Sequence, residues 1–474
     1  MYLHAQHTFF SARLHIMPAY YPKAGFRTIW GLIWPQALMM MMQFGIAFVC
    51  VWVAGRIDPV VQASFGMVAQ CVMFLQVVAM AMGSGAIAAI SQSLGAGLVR
   101  RAQRYALLVG WGSLLLGILA ALLGYTFRNQ LFSALMAPPE TRAILDDYWR
   151  VTLLTTPFHY VWGVSSGLFR ATRHVIAPLL VTMLVFVAVT LGATGLGLGW
   201  FGLPDCGYMG IAWANFAAVL LGATGNLLLL RRFGYMRLRD TPPWRWIRRG
   251  APYLVRVAWP AGLSQFLWQL GYLVIFAITA SLPKGSVAAL AGMTAGMRVE
   301  SLLFMPAFAF NMTVSVLVGN SLGAGDKAEA RRLALLLSAS GCLCISALAA
   351  MVWPFRGELA ALLSDSPAVQ EQTVTYLFYN LLATPFTACS MIFGGVMMGA
   401  GATRYNLAVY ASSFWLVRLP LAWLFGHVLW GEAAGIFLSM LVSQAVQSSV
   451  MLWVLLRLDW TRFSIGRRAG HVAT

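Results

Sequence analysis

The sequence predicts an all-α integral membrane protein with twelve transmembrane helices in two pseudo-symmetric lobes of six. Hydrophobic residues make up 60% of the 474 residues and charged residues only 10%, which is typical of membrane-spanning chains. Twelve apolar runs are long enough to cross a bilayer, which takes roughly 20 residues each. The chain also repeats short motifs about 228 residues apart, and such internal symmetry is a signature of secondary transporters.

The repeat is carried by several anchors that occur in the same order in both halves of the chain. Their spacing drifts by only a few residues, so they are not explained by chance. The anchors are Ser-Leu-Gly-Ala-Gly at 93–97 and 321–325, Tyr148 and Tyr376, Thr-Pro-Phe at 156–158 and 384–386, Pro35 and Pro260, and Thr-Arg at 172–173 and 403–404.

The predicted spans divide the chain into an N-lobe at 29–232 and a C-lobe at 253–458. A cytoplasmic tail at 1–28 precedes them, a basic cytoplasmic linker at 233–252 joins them, and a second tail covers 459–474. The apolar runs are continuous rather than alternating, which excludes a transmembrane β-barrel. The twelve spans are 29–54, 62–92, 104–126, 150–170, 176–199, 208–230, 254–281, 286–319, 332–354, 374–398, 405–427 and 433–456.

Charge is distributed unevenly between the loops. Of the 32 Lys and Arg residues, 24 fall in the termini and the even-numbered loops, whereas nine of the 14 acidic residues fall in the odd-numbered loops. This positive-inside pattern predicts that both termini are cytoplasmic. The net charge of +18 therefore reflects topology and attraction to anionic lipid, and no nucleic-acid partner is expected. Trp244 and Trp246 of the basic linker are expected at headgroup depth.

Motifs for enzyme chemistry are missing from the sequence. No glycine-rich loop with Lys and Ser or Thr is present to cradle a phosphate, so ATP is not the expected energy source. The six cysteines show neither paired nor metal-type spacing, and Cys206 alone falls in an outer loop. We therefore expect no cofactor, no metal and no enzymatic activity.

Glu300 is the only acidic residue predicted inside the bilayer. It lies near the middle of the eighth span, where a carboxylate costs roughly 2.5–3.5 kcal/mol on insertion scales and needs a partner, a proton or access to water. A group of this kind suits the alternate binding and release of a coupling cation or proton. The alternative interpretation is a structural ion pair within the lobe.

Two basic residues share the depth of Glu300. Arg298 is two residues away, and about 200° of helix rotation separates the two side chains, so they cannot meet directly. Arg418 on the eleventh span is therefore the better candidate for an ion pair. Asn311 is eleven residues beyond Glu300 and returns to nearly the same helix face, where it is a candidate member of the same network.

Polar side chains recur at helical spacing on the helices that open each lobe and on the last span. Such residues are usually hydrogen-bonding glue between helices, and stripes that face one cleft would favour a substrate-lining role. Abundant aromatic and Met side chains suit a promiscuous pocket for flat cations. The candidate cleft residues are Gln43, Cys50, Gln265, Trp268, Gln269, Tyr272 and Gln444.

Four stretches of the second half resemble the multidrug and toxic compound extrusion (MATE) family of cation-coupled drug antiporters, and the likeness extends from about residue 30 to the last span. Three positions depart from the family's pattern: Cys50 and Trp268 stand where many relatives carry acids in the first and seventh helices, and Ala402 replaces a usual aspartate. The four stretches are 298–308, 318–325, 399–404 and 417–422.

The resemblance implies a function as well as a fold. A cation-coupled antiporter of the bacterial inner membrane would export cationic or amphipathic compounds, driven by H⁺ or Na⁺, by alternating access between its lobes; a monomer is expected. Two alternatives stay open at this stage. One is a lipid-linked oligosaccharide flippase of the related superfamily, which should line its cleft with several cationic residues. The other is a multi-span membrane transferase.

Overall fold

Twelve long helices dominate the computed structural model, which describes residues 24–134, 139–236 and 241–465. All regular elements in these ranges are helical, and the predicted fold class is confirmed. The long helices are α1 Phe26–Ile57, α2 Pro59–Gly95, α3 Val99–Thr126, α4 Pro139–Ala171, α5 Ile176–Leu198, α6 Gly207–Arg232, α7 Trp244–Ala280, α8 Ser286–Ala324, α9 Lys327–Val352, α10 Pro367–Ala400, α11 Thr403–Leu429 and α12 Ala433–Arg457.

Eleven of these helices are long and apolar enough to cross a membrane, as judged within the described ranges. The twelfth is α4, which carries charged residues in its first three turns and several polar ones in the rest. Each predicted span coincides with one long helix. Two further short helices, Arg128–Ala134 and Arg356–Leu363, precede α4 and α10.

Contacts within each half of the chain build two bundles. In the first half, α4 packs on α2, α3 and α6, and α5 packs on α6 and α1. In the second half, α10 packs on α8, α9 and α12. The halves meet mainly through α2, which lies against α7 and α8, and through α1, which lies against α8. Two helices from the first half therefore carry most of the interface.

The repeated Ser-Leu-Gly-Ala-Gly motif ends α2 and α8 in the same way. Gly97 and Gly325 both adopt positive φ angles, of 74° and 84°. In each copy the glycine N–H donates to a carbonyl three residues earlier, and the next N–H donates to a carbonyl five residues earlier. This is the Schellman ending, in which glycine takes the left-handed conformation without a Cβ penalty. The two turns are thus equivalent in conformation as well as in sequence.

The first glycine of each motif lies where α2 and α8 cross. A Cβ added at Gly95 would overlap the backbone oxygen of Asn320, and a Cβ added at Gly323 would overlap the backbone oxygen of Gln92. Residues 92 and 320 are themselves related by the 228-residue repeat, so the contact is reciprocal, as at a twofold axis. Only glycine allows two helix backbones to approach so closely. We call these four residues the glycine crossing.

Hydrogen bonding at the glycine crossing is unequal on its two sides. The Gln92 side chain donates to the backbone oxygen of Gly399 at 2.7 Å, and it accepts from the Tyr253 hydroxyl at 3.1 Å and from the Ile465 amide at 2.7 Å. Asn320 is only 2% exposed. Neither polar atom of its side chain has a hydrogen-bond partner among the described residues.

Helix α7 begins at Trp244, inside the segment predicted as a basic linker. Trp244 is 76% exposed, whereas Trp246 is only 9% exposed and packs edge-on against Tyr105 of α3, with 4.9 Å between ring centroids. Two residues of helix rotate a side chain by about 200°, which turns one tryptophan outward and buries the other against the protein. Arg237 and Arg239 of the linker lie outside the described residues, as do 1–23 and 466–474 of the predicted tails.

We predict that Gly323→Ala destabilises the protein, because the added methyl group meets backbone rather than a side chain that can rotate away. Overpacking of this kind costs about 1–3 kcal/mol, and the loss should appear as a lower midpoint of thermal unfolding in detergent. Gly83→Ala is the matched control, since Gly83 lies in α2 with nothing within 4 Å of the position that the new methyl group would take. Equal midpoints for the two variants would contradict the close approach.

Candidate functional site

Glu300 lies near the middle of α8, in the interior of the second half of the chain. Its side chain is half-buried, and its Oε2 accepts a hydrogen bond from the hydroxyl of Tyr376 on α10 at 2.6 Å. Tyr376 is fully buried in the apolar cluster between α7, α8, α10 and α12. This carboxylate has a neutral tyrosine as its hydrogen-bond donor, and no basic side chain of the described residues forms a salt bridge with it. It can be neutralised by a proton or by a small cation.

Arg418 occupies the same bundle and is one of its most buried side chains, at 2% exposure. Its Nε donates to Ser443 Oγ of α12 at 2.7 Å, and its guanidinium lies 4.4 Å from the centre of the Phe414 ring. No carboxylate oxygen lies within 4 Å of it among the described residues. Glu300 and Arg418 therefore form no direct salt bridge among the described residues, although the two groups are near enough to interact electrostatically. Their membership of one network stays a prediction.

The helix around Arg418 is locally widened. Residues Ser412–Arg418 and Leu424–Leu429 form π-helical turns within α11. Pro420 lacks the N–H that would bond to the carbonyl of Leu416, and its ring crowds that carbonyl. A helix can accommodate such a residue by opening one turn, and π-turns of this kind are frequent at functional sites. The widening accompanies the inward placement of Arg418.

Aromatic rings surround Arg418 in place of a carboxylate. Tyr272 of α7 lies 5.0 Å from Trp268 and 5.7 Å from Phe414, between ring centroids. Tyr410 stacks on Phe414 at 6.1 Å. Both tyrosines interact electrostatically with Arg418. The faces of aromatic rings attract cations, so the arrangement stabilises the buried guanidinium without cancelling its charge.

The other two predicted members of the Glu300 network lie elsewhere. Arg298 is exposed and lines a separate cavity of about 480 Å³ together with Leu363 and Val369. This agrees with the helix rotation that separates it from Glu300. Asn311 donates its side-chain N–H to the backbone oxygen of Met391 at 2.5 Å, which joins α8 to α10. Asn311 is therefore a structural link between helices and does not contact Glu300.

The seven predicted cleft residues do not form one cluster. Trp268 and Tyr272 belong to the aromatic group around Arg418. Gln269 donates to the sulfur of Met73 at 3.5 Å, which links α7 to α2 across the two halves. Cys50 is instead buried in the apolar cluster of the first half, because its neighbours there are the bulky side chains of α4, α5 and α6.

The remaining three glutamines differ in their surroundings. Gln43 is exposed on α1, and Gln265 is half-buried on α7. Gln444 is half-buried on α12, next in sequence to Ser443, and its Oε1 is buried without a hydrogen-bond partner among the described residues. Of these three glutamines, only Gln444 is adjacent in sequence to a residue that bonds to Arg418, namely Ser443.

Tyr376, the hydrogen-bond donor to Glu300, is not among the site residues predicted from the sequence, although the sequence contains a signal for it. It is the repeat anchor that matches Tyr148 of the first half. Tyr148 stacks on Phe65 at 3.9 Å between ring centroids and packs in the apolar cluster that contains Cys50. The residue 228 positions before Glu300 is Val72. The duplicated tyrosine therefore has an acidic partner in the second half only.

The family model described as MatE matches residues 35–193 and 260–424. The probable multidrug resistance protein NorM of Bradyrhizobium diazoefficiens is 29% identical over 400 residues, which cover 78% of this chain and 81% of that protein. The protein of the same name from Thermotoga maritima is 25% identical over 438 residues, with 90% and 91% covered.

Two solved structures have a similar fold. The Vibrio cholerae MATE transporter VcmN in its bent form has a TM-score of 0.83 at 21% identity and covers 94% of this chain and 98% of its own. A MOP superfamily transporter from Pyrococcus furiosus, described as having a binding pocket of reverse polarity, has a TM-score of 0.84 at 19% identity, with 93% and 97% covered.

We predict that Ser443→Ala destabilises the protein more than Ser439→Ala does. Both serines are buried on α12 and donate to a carbonyl of their own helix, but only Ser443 also accepts from Arg418. Loss of a hydrogen bond to a charged buried group costs about 1.5–3 kcal/mol. Thermal unfolding of the two purified variants measures the difference, and equal midpoints would mean that the bond to Arg418 contributes nothing to stability.

Proposed function

This chain belongs to the MatE family, and from that premise we propose that it is a multidrug efflux transporter that works as a cation-coupled antiporter. Members of the family are transporters and not enzymes. The exported compounds would be cationic or amphipathic small molecules, and an inward gradient of H⁺ or Na⁺ would drive their export. The names of the NorM relatives support multidrug efflux.

The observation that carries the proposal is the contact between Glu300 and Tyr376. The carboxylate is half-buried in an apolar bundle, its hydrogen-bond donor is a neutral tyrosine, and the buried Arg418 of the same bundle donates to Ser443 and forms no salt bridge with the carboxylate among the described residues. Removing an isolated carboxylate from water is costly unless it takes up a proton or a cation. Glu300 would bind the coupling ion when it faces one side of the membrane and lose it when it faces the other.

The glycine crossing supports alternating access. At this end of the helices α2 and α8 touch through backbone atoms, and the last twelve residues of α2 are nearly all buried. The first half of α2 is mostly half-buried or exposed. If both termini are cytoplasmic, as the charge pattern predicts, the closed end faces the cytoplasm and the described conformation opens outward. Export would then require the crossing to separate.

The flippase alternative has less support from the arrangement of charge. A cleft for a polyanionic lipid-linked substrate should present several cationic side chains. Arg298 faces a separate cavity and Arg418 is buried among aromatic rings. Exposed aromatic and Met side chains instead suit hydrophobic cations.

We expect Glu300→Gln to abolish transport while the protein still reaches the membrane at a normal level, because an amide cannot exchange a proton or hold a cation by charge. The measurement is dye accumulation in inverted membrane vesicles, with a pH gradient and a Na⁺ gradient imposed in separate experiments. The gradient that drives accumulation identifies the coupling ion.

Glu358→Gln is the matched control for this experiment. It makes the same chemical change at an exposed position on the short helix Arg356–Leu363, and transport should continue. Normal gradient-driven transport by Glu300→Gln would rule out the coupling role, and no transport of any cationic dye by the parent protein would count against multidrug efflux.

The proposed orientation can be tested through Cys206, which is exposed in the loop between α5 and α6. A membrane-impermeant maleimide should label it in intact cells, and Cys206→Ser should remove that label. In the Cys206→Ser background, Arg231→Cys at the opposite end of α6 should be labelled only after the cells are permeabilised. The reverse pattern would mean that the termini are outside.

A further inference from the structure

We propose that the protein binds an anionic phospholipid in a pocket between the start of α7 and the start of α11. The pocket has a volume of about 670 Å³, and three arginines and two tryptophans line it. Its lining includes none of Glu300, Tyr376 and Arg418, so it is distinct from the proposed coupling site. The residues that carry the argument are Arg248, Arg256, Arg404, Trp244, Trp259 and Val255.

One side of the pocket is formed by α7, and the helical period brings its lining residues onto one face of that helix. Trp244, Arg248, Val255 and Trp259 recur at intervals of four or seven residues, so they share one face of the helix. All four side chains are exposed, Trp244 by 76%, Val255 by 62% and Trp259 by 58%. Large apolar side chains at this exposure form a surface that lipid would cover.

The other side of the pocket is formed by α11 and depends on a buried hydrogen bond between α11 and α7. Thr403 at the start of α11 donates its hydroxyl proton to the backbone oxygen of Val257 at 2.8 Å. The preceding turn also packs closely against α7, because a Cβ added at Gly401 would overlap the Tyr253 hydroxyl. The next residue, Arg404, is thereby fixed beside α7 and joins Arg256 and Arg248 around the same cavity.

The charge of the pocket selects the ligand. Its three guanidinium groups are exposed, none of them forms a salt bridge among the described residues, and no acidic side chain lines the cavity. Guanidinium groups bind phosphate through paired hydrogen bonds. Basic pockets between helices at the membrane surface take anionic headgroups, and tryptophans lie at headgroup level. The phosphate would lie among the arginines and an acyl chain along Val255 and Trp259.

The test measures the affinity of the purified full-length protein for phosphatidylglycerol by native mass spectrometry, with phosphatidylcholine of the same acyl chains as the neutral lipid. We expect the variant R248Q/R256Q/R404Q to bind phosphatidylglycerol at least about tenfold more weakly than the parent protein, because each arginine near an anionic surface contributes about a fivefold factor. The parent protein should prefer phosphatidylglycerol to phosphatidylcholine.

The matched control is R231Q/R232Q/R457Q, which removes three exposed arginines from the ends of α6 and α12. This control should retain most of the affinity. Equal losses in both variants would overturn the proposal, because they would show diffuse attraction to a basic protein. Displacement of the lipid by millimolar inorganic phosphate would also overturn it, since the site would then recognise a free anion.

A single variant guards against misfolding of the triple one. R404Q leaves α7 intact and should weaken phosphatidylglycerol binding by about fivefold, with a correspondingly smaller rise in unfolding temperature when this lipid is added. An R404Q protein with the full affinity and the full lipid-induced rise would contradict the assignment of Arg404 to the site.

Discussion

A bilayer offers no hydrogen bonds to the groups inside it, and this constraint orders the whole structure. Most hydroxyl groups in the helices donate to a carbonyl of their own helix one turn earlier, as Thr384 does to Asn380. Contact between helices is then left to small residues and to apolar packing. Glu300 and Arg418 depart from this apolar packing, because each places an ionisable side chain inside the helix bundle of the second half of the chain. Each bonds to a hydroxyl from a neighbouring helix, and among the described residues the two do not form a salt bridge with each other. The site is defined by charges that the surrounding protein leaves uncancelled.

The two halves share a scaffold but differ in chemistry. The repeated motifs give the same helix endings, and Tyr148 and Tyr376 occupy corresponding places in their bundles. In the first half the tyrosine packs near Cys50 in an apolar cluster, whereas in the second half its counterpart bonds to Glu300. A duplicated fold provides two corresponding positions for the tyrosine, and the ionisable residue beside one of them distinguishes the halves. The proposed ion-coupling step therefore belongs to the second half, against which α1 and α2 of the first half pack.

Much of this architecture can be predicted from the sequence, because long apolar runs leave few alternatives to transmembrane helices. The depth of Glu300 and the separation of Arg298 from it also follow from residue counts and from 100° of rotation per residue. Partners across helices cannot be obtained in this way. They depend on how each helix is rotated against its neighbours, so depth in the bilayer favours Arg418 as the partner of Glu300, and the repeat marks Tyr376 without showing what it contacts. The repeated Ser-Leu-Gly-Ala-Gly motif is visible in the sequence, but the contact between its two copies is not, since no local pattern shows which two helices cross.

At the glycine crossing the two helix backbones fit closely, but the side chains of Gln92 and Asn320 differ in how well they are hydrogen-bonded. Its two backbone contacts share one point of approach, so they form together or break together, and intermediate separations gain neither. On one side Gln92 is fully hydrogen-bonded, while on the other the amide of Asn320 is enclosed without a partner among the described residues. A buried amide in that condition costs about 1–3 kcal/mol, which it would recover in water. The crossing therefore carries a local cost at Asn320 that would be removed if the two helices moved apart and water reached the amide.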